Sequence, residues 1–169
     1  MELSHLRAQI DDIDAQLTDL FGRRLACSRA VAAYKKETGA PVLDEQRQRA
    51  VLARAADRAA PGDRTAVAVQ MGCLMDVSRA VQYGETAPAG PLSGPVRCRW
   101  RMPAEPAQLQ RLTAAAAVTG ACPEQLTLTR AGADWDLTLR LTGSDPQAEG
   151  AFLQILAAEW PALTIETEE

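Results

Sequence analysis

Arg24 occupies a position in a long apolar helical seam where a hydrophobic residue is expected, and Ser28 follows one turn later. A charge or hydroxyl on such a seam is costly to bury alone, so it marks where chemistry is placed. Lys35 lies eleven residues after Arg24, about three helical turns, and projects from nearly the same face. Their Cα atoms would stand ~16 Å apart, a span that two long cationic side chains leaning inward can close around one small dianion. Lys35 and Lys36 are the only lysines among 18 basic residues, so this position did not follow the chain's preference for arginine. Arg7 precedes Lys35 by 28 residues, ~42 Å along a helix axis. It cannot meet Lys35 on a small ligand within one chain, and reaches such a site only from a second subunit with its long helix antiparallel. Asp44, Arg47 and Gln48 share one face of a second helix at i, i+3, i+4, and Ser78 and Gln82 stand one turn apart on a third.

Each of these residues also has a plainer reading. Arg7, Asp44 and Arg47 taken singly suit a solvated surface, and Arg24 suits pairing with a carboxylate such as Asp14 or a neighbour's Asp76. Ser78 suits a small packing residue bonded back to its own helix. The specific feature is polar groups from three helices converging on one helical core.

The elements that must position them follow from periodicity. Leu3, Leu6, Ile10, Ile13, Leu17, Leu20, Cys27, Val31 and Tyr34 step by threes and fours, apart from the place Arg24 takes, a heptad seam that predicts one long helix ending at Gly39 before Pro41. A second helix is predicted from about Asp44 to Ala60, stopped by Pro61-Gly62, and a third from about Asp63 to Tyr83. Residues 84–95, GETAPAGPLSGP, read as a linker. Beyond it the period changes to strand Val96–Arg101, helix Ala107–Thr119, strands Leu126–Arg130 and Trp135–Leu141, helix Asp145–Trp160 and strand Leu163–Thr167. That order, β-α-β-β-α-β, is ferredoxin-like. The expected organisation is an all-α three-helix domain at 1–83, a linker at 84–95 and a small α+β domain at 96–169.

Composition narrows the function classes. The 169 residues are 47 % hydrophobic and 24 % charged with 4 % aromatic, which excludes a disordered or collagen-like chain. A net charge of −4 excludes a nucleic-acid binder working by bulk electrostatics. Up to Tyr83 there are 12 basic and 11 acidic residues, beyond it 6 and 11, so the two parts are expected to do different jobs. No apolar run approaches the ~18–20 residues of a membrane span, and the acidic N-terminus is unlike a signal peptide, so no membrane partner and a cytoplasmic location are expected. Cys27, Cys73, Cys98 and Cys122 lie far apart, and His5 is the single histidine; four reduced, mostly buried thiols are expected rather than a zinc site.

The helical part resembles a known family. L-R-x-x-I-D-x-I-D at 6–14, G-R-R at 22–24, Y-K at 34–35, P-V-x-D-x-x-R at 41–47 and L-M-D-V-S-x-x-x-Q at 74–82 are similar to the all-helical, AroQ-type chorismate mutases. The last segment is especially similar to the mutase portion of chorismate mutase–prephenate dehydratases, whose dehydratase portion has no room in the residues left. The resemblance implies an intertwined homodimer with composite active sites and a cofactor-free Claisen rearrangement of chorismate to prephenate, in aromatic amino-acid biosynthesis. It implies that Arg24 and the partner subunit's Arg7 hold the substrate carboxylates, with Arg47 supporting that edge. Lys35 and Gln82 would donate to the ether oxygen, Asp44 and Gln48 would orient the ring hydroxyl, and Ser78 would line the pocket near the ring carboxylate. One position departs: the family's usual glutamate after the second-helix arginine is Gln48, a neutral acceptor whose weaker bond would cost ~1–2 kcal/mol, roughly ten-fold in rate.

Topology and position behind a mutase make the second domain similar to ACT regulatory domains, implying an amino-acid effector, phenylalanine or a related pathway product. The glycine-rich turn and Glu-Ser-Arg-Pro-type segment of the dehydratases' ACT domains are absent, so a bare dimerisation module competes with a sensor. Trp100 and Trp135 are either ligand-facing or sheet core. For the whole chain, two other readings stand beside the mutase. One is an isochorismate-pyruvate lyase, against which Asp44 argues. The other is a non-catalytic interaction protein on the same helices.

Overall fold

The computed structural model describes residues 2–86 and 90–168. Helix α1 (Leu3–Thr38) is a single rod of 36 residues, ~54 Å long. It ends where Gly39 takes φ 70°, a left-handed cap that a Cβ would disfavour. α2 (Glu45–Arg58) opens on Asp44, whose carboxylate accepts from the Arg47 backbone N–H at 2.8 Å. α3 (Arg64–Thr86) follows a turn at Pro61-Gly62-Asp63 and packs on α1 and α2.

The third helix runs three residues past Tyr83, into the stretch expected to begin the linker. Gly84 does not stop it: a single helical glycine costs only ~1 kcal/mol, and the packed turns before it carry the helix on. Of the expected linker, 87–89 lie outside the described residues. Gly90–Leu92 is strapped to a later helix, α5 (Pro146–Glu159), by Leu92 N–H donating to the Pro146 carbonyl at 2.8 Å. At the contact, a Cβ on Gly150 would lie 2.2 Å from the Gly90 carbonyl oxygen, which admits only glycine.

The remaining elements are β1 (Val96–Pro103), α4 (Pro106–Thr119), β2 (Gln125–Ala131), β3 (Asp134–Leu141) and β4 (Thr164–Thr167). The strands form one antiparallel sheet in the order β2-β3-β1-β4, the ferredoxin-like arrangement that the β-α-β-β-α-β order predicts. Alternation sorts the faces. Val96, Cys98, Trp100 and Met102 of β1 and Leu137, Leu139 and Leu141 of β3 are buried together with Leu112 and Ala115 of α4 and Phe152, Ile155 and Leu156 of α5. The opposite face is ionic and solvated, with Arg97 on Glu168, Arg99 on Glu166 and Arg101 on Asp136.

The helical region rests on the helix layer of the sheet. Gly72, Asp76, Arg79, Ala80 and Tyr83 form one buried stripe of α3, and Ala80 and Tyr83 join the hydrophobic cluster of the α+β region. Gly72 is small where α4 comes close, since a Cβ there would lie 3.0 Å from the Gln110 side chain. By contrast Leu3, Leu6, Ile10, Ile13, Leu17 and Leu20 on α1 are all exposed, none less than 41 %.

Two expectations resolve here. Trp100 is core, 5.7 Å ring to ring from Trp160, and Trp135 packs against that core. The thiols are free, but only Cys98, on the inward face of β1, is buried; Cys27 on α1, Cys73 on α3 and Cys122 after α4 are exposed, against the expectation of mostly buried thiols. Among the described residues no helix is long and apolar enough to cross a membrane.

Candidate active site

Besides Ser28, seven of the eight polar residues singled out in the sequence line one cavity of about 280 Å³ between α1, α2 and α3. α1 contributes Arg24 and Lys35, together with Cys27, Ser28 and Val31. The turn after α1 and the first turns of α2 contribute Val42, Asp44, Arg47, Gln48 and Val51. α3 contributes Met75, Ser78, Arg79 and Gln82. The eighth residue, Arg7, is exposed near the free end of α1 and is not part of this cavity.

The cations differ in how far the protein satisfies them. Arg24 Nη1 donates to the Leu74 carbonyl at 2.9 Å and to Ser78 Oγ, and Ser78 Oγ donates in turn to the same carbonyl at 2.7 Å. Among the described residues no carboxylate pairs with Arg24; Asp76 faces away, toward α4. Desolvation lowers the Arg24 pKa, a pressure that an incoming anion relieves. Lys35 Nζ donates to the Val42 carbonyl at 2.6 Å, and burial lowers its pKa against an upward pull from Asp44. Gln82 makes no side-chain hydrogen bond among the described residues, and its Oε1 is buried.

Arg79 was not evident from the sequence. It is 6 % exposed, held by Asp76 at 2.6 Å and by Glu159 of α5, so its charge is already matched by two carboxylates. The signal that was there is its spacing from Asp76, i to i+3, on a stripe otherwise made of small and apolar residues. Gln48 also behaves differently from expectation. Its Oε1, expected to accept from a ligand hydroxyl, accepts instead from Arg79 Nη1 at 3.2 Å and from Arg111 Nη2 of α4 at 3.3 Å. Guanidinium groups only donate, so this orientation of the amide is fixed by chemistry.

A helical cavity with unpaired cations on two sides, a carboxylate at its rim and an amide donor on α3 suits a small, doubly anionic molecule. Residues 6–83 match the family model described as chorismate mutase type II. Through this region, the chain is similar to the chorismate mutase type II family. The match covers all three helices that wall the cavity and stops within α3, before the sheet begins. No curated protein matches the chain, and no solved structure matches it.

Proposed function

We propose that this protein converts chorismate to prephenate in a cofactor-free Claisen rearrangement, in the cytoplasm and in aromatic amino-acid biosynthesis. The observation that carries the reading is the meeting of Arg24, Lys35, Asp44, Arg47, Gln48, Ser78 and Gln82 around one cavity in a mutase-family helical region. The reaction breaks one C–O ether bond as one C–C bond forms, with no net proton transfer. It therefore needs a compact substrate conformer and charge stabilisation at one oxygen, rather than a general base. Arg24 binds one carboxylate, with Ser78 beside it, and Arg47 extends the cationic wall. Lys35 and the Gln82 amide donate to the ether oxygen as it gains charge. Asp44 and Gln48 orient the ring hydroxyl.

The second carboxylate falls to Arg7 of the partner subunit. Six exposed apolar residues on α1, from Leu3 to Leu20, support a homodimer in which a second α1 runs antiparallel and covers them. The α+β region we read as a regulatory module of ACT type that binds phenylalanine or a related product; its ferredoxin-like order and its seat against α3 support this. Calorimetry with the aromatic amino acids tests it, and no heat would leave a purely structural module.

The test of the reaction is direct. Purified protein should deplete chorismate absorbance, with prephenate as the product. Salicylate and pyruvate instead would identify a lyase, and no turnover at all would leave a non-catalytic interaction protein on the same helices.

A further inference from the structure

The α+β region touches residues of the cavity wall at two places, Glu159 on Arg79 and Arg111 on Gln48, and the second is not an ion pair. Arg111 lies on α4, 63 residues from Gln48, and its Nη2 donates to Gln48 Oε1 at 3.3 Å. Arg111 itself does not line the cavity. That bond is the only hydrogen bond of the Arg111 side chain among the described residues, while its Nε is buried without a partner. A guanidinium placed only to glue α4 to α3 would be matched by a carboxylate, as Arg79 is by Asp76 and Glu159. Nearby Asp76 is instead bonded by Arg79 at 2.6 Å and by Gln110 Nε2 at 2.8 Å. Arg111 therefore acts on Asp76 through space, and the hydrogen bond it makes among the described residues goes to Gln48.

The effect on Gln48 is specific. With Oε1 held by two guanidinium groups, the amide cannot flip, and both hydrogens of Nε2 remain without a protein acceptor among the described residues. The wall of the cavity therefore presents a donor at this point rather than an acceptor.

We propose that Arg111 is a positioning residue for the mutase site, acting through Gln48, so that the α+β region completes the site. The proposal rests on the mutase reading in one respect, that Gln48 touches the ring hydroxyl. That hydroxyl then accepts from Gln48 Nε2 and donates to Asp44, an arrangement in which each group has a partner. The contact is made in the ground state and the transition state alike, so losing its support weakens binding more than it slows turnover.

The experiment uses the full chain. Arg111→Ala should raise KM for chorismate about three- to ten-fold with kcat changed by less than about two-fold. Arg111→Lys should recover part of the loss. In a Gln48→Ala background, Arg111→Ala should add nothing. A merely structural role would lower kcat through a smaller active fraction, leave KM in place and persist without Gln48; any of these outcomes overturns the proposal. A second readout is independent of turnover. The side-chain amide resonances of Gln48, assigned by their loss in Gln48→Ala, should be dispersed in the parent protein and move toward free-amide values in Arg111→Ala. Unmoved resonances overturn the proposal. If the parent protein leaves chorismate intact, the mutase reading fails, and the resonances still decide whether Arg111 holds Gln48.

Discussion

Lys35 combines partial burial with a neutral acceptor, the Val42 carbonyl, so its charge is available to a ligand. Lys35→Ala should cost at least ~3 kcal/mol of transition-state stabilisation, more than about 100-fold in kcat/KM, while the melting temperature stays close to the parent's. Near-parental kcat/KM would remove Lys35 from the mechanism. The pH dependence has a definite sign. Burial lowers the pKa of Lys35 from 10.5, and only the protonated amine stabilises an anionic oxygen. Activity should therefore fall on the alkaline side with an apparent pKa below the ordinary lysine value, and Lys35→Arg should flatten that limb. At Gln48 the amide donates to the ring hydroxyl, whose single hydrogen goes to Asp44, so a carboxylate in its place would face lone pairs with no hydrogen to accept. Asp44 would repel it, but Arg79 and Arg111 touch the same position and would hold it ionised. Gln48→Glu should thus lower kcat/KM ~3–10-fold, at neutral pH as elsewhere. A gain would show that the hydroxyl donates to position 48 rather than to Asp44.

Among the elements, what was legible in the sequence was what lies along one helix. The seam from Leu3 to Tyr34 gave α1, Arg24 as its anomaly gave one wall, and the i, i+3, i+4 spacing of Asp44, Arg47 and Gln48 gave another. The second face of α3 was not legible, because its partners are far apart in the chain. Arg79 meets Glu159 across 80 residues, and Asp76 meets Gln110 across 34. Periodicity shows that a stripe is buried, not against what, so the orientation of the Gln48 amide, set by Arg79 and by Arg111 of α4, is not legible in the sequence. The ionic outer face of the sheet, by contrast, follows from simple alternation of Arg97, Arg99 and Arg101. Gly150 tests an element contact that composition conceals, since the linker reads as featureless. Gly150→Ala must push Gly90–Leu92 off α5, and should cost ~1–3 kcal/mol in denaturant unfolding. Unchanged stability would mean that the strap yields freely.

For the whole molecule, the proposed second subunit would cover the exposed run of Leu3, Leu6, Ile10, Ile13, Leu17 and Leu20 and bring Arg7 to a cavity that its own chain keeps it from. Mixing an Arg7→Ala chain with a Lys35→Ala chain should restore about a quarter of parental activity, since half the dimers are mixed and each has one intact site. No recovery in demonstrably mixed dimers would sink the shared site. The stripe of Gly72, Asp76, Arg79, Ala80 and Tyr83 has a further consequence, for portability. The family match ends at residue 83, yet Tyr83 lies inside the core of the α+β region. A chain cut there would present a bare apolar face to water and take Glu159 from Arg79. The same α+β region spliced behind a different bundle would bring Arg111 and Glu159 to a helix without their counterparts. Helices α3, α4 and α5 therefore form one unit of exchange, and transplanting the helices that wall the cavity into another protein requires carrying α4 and α5 with them.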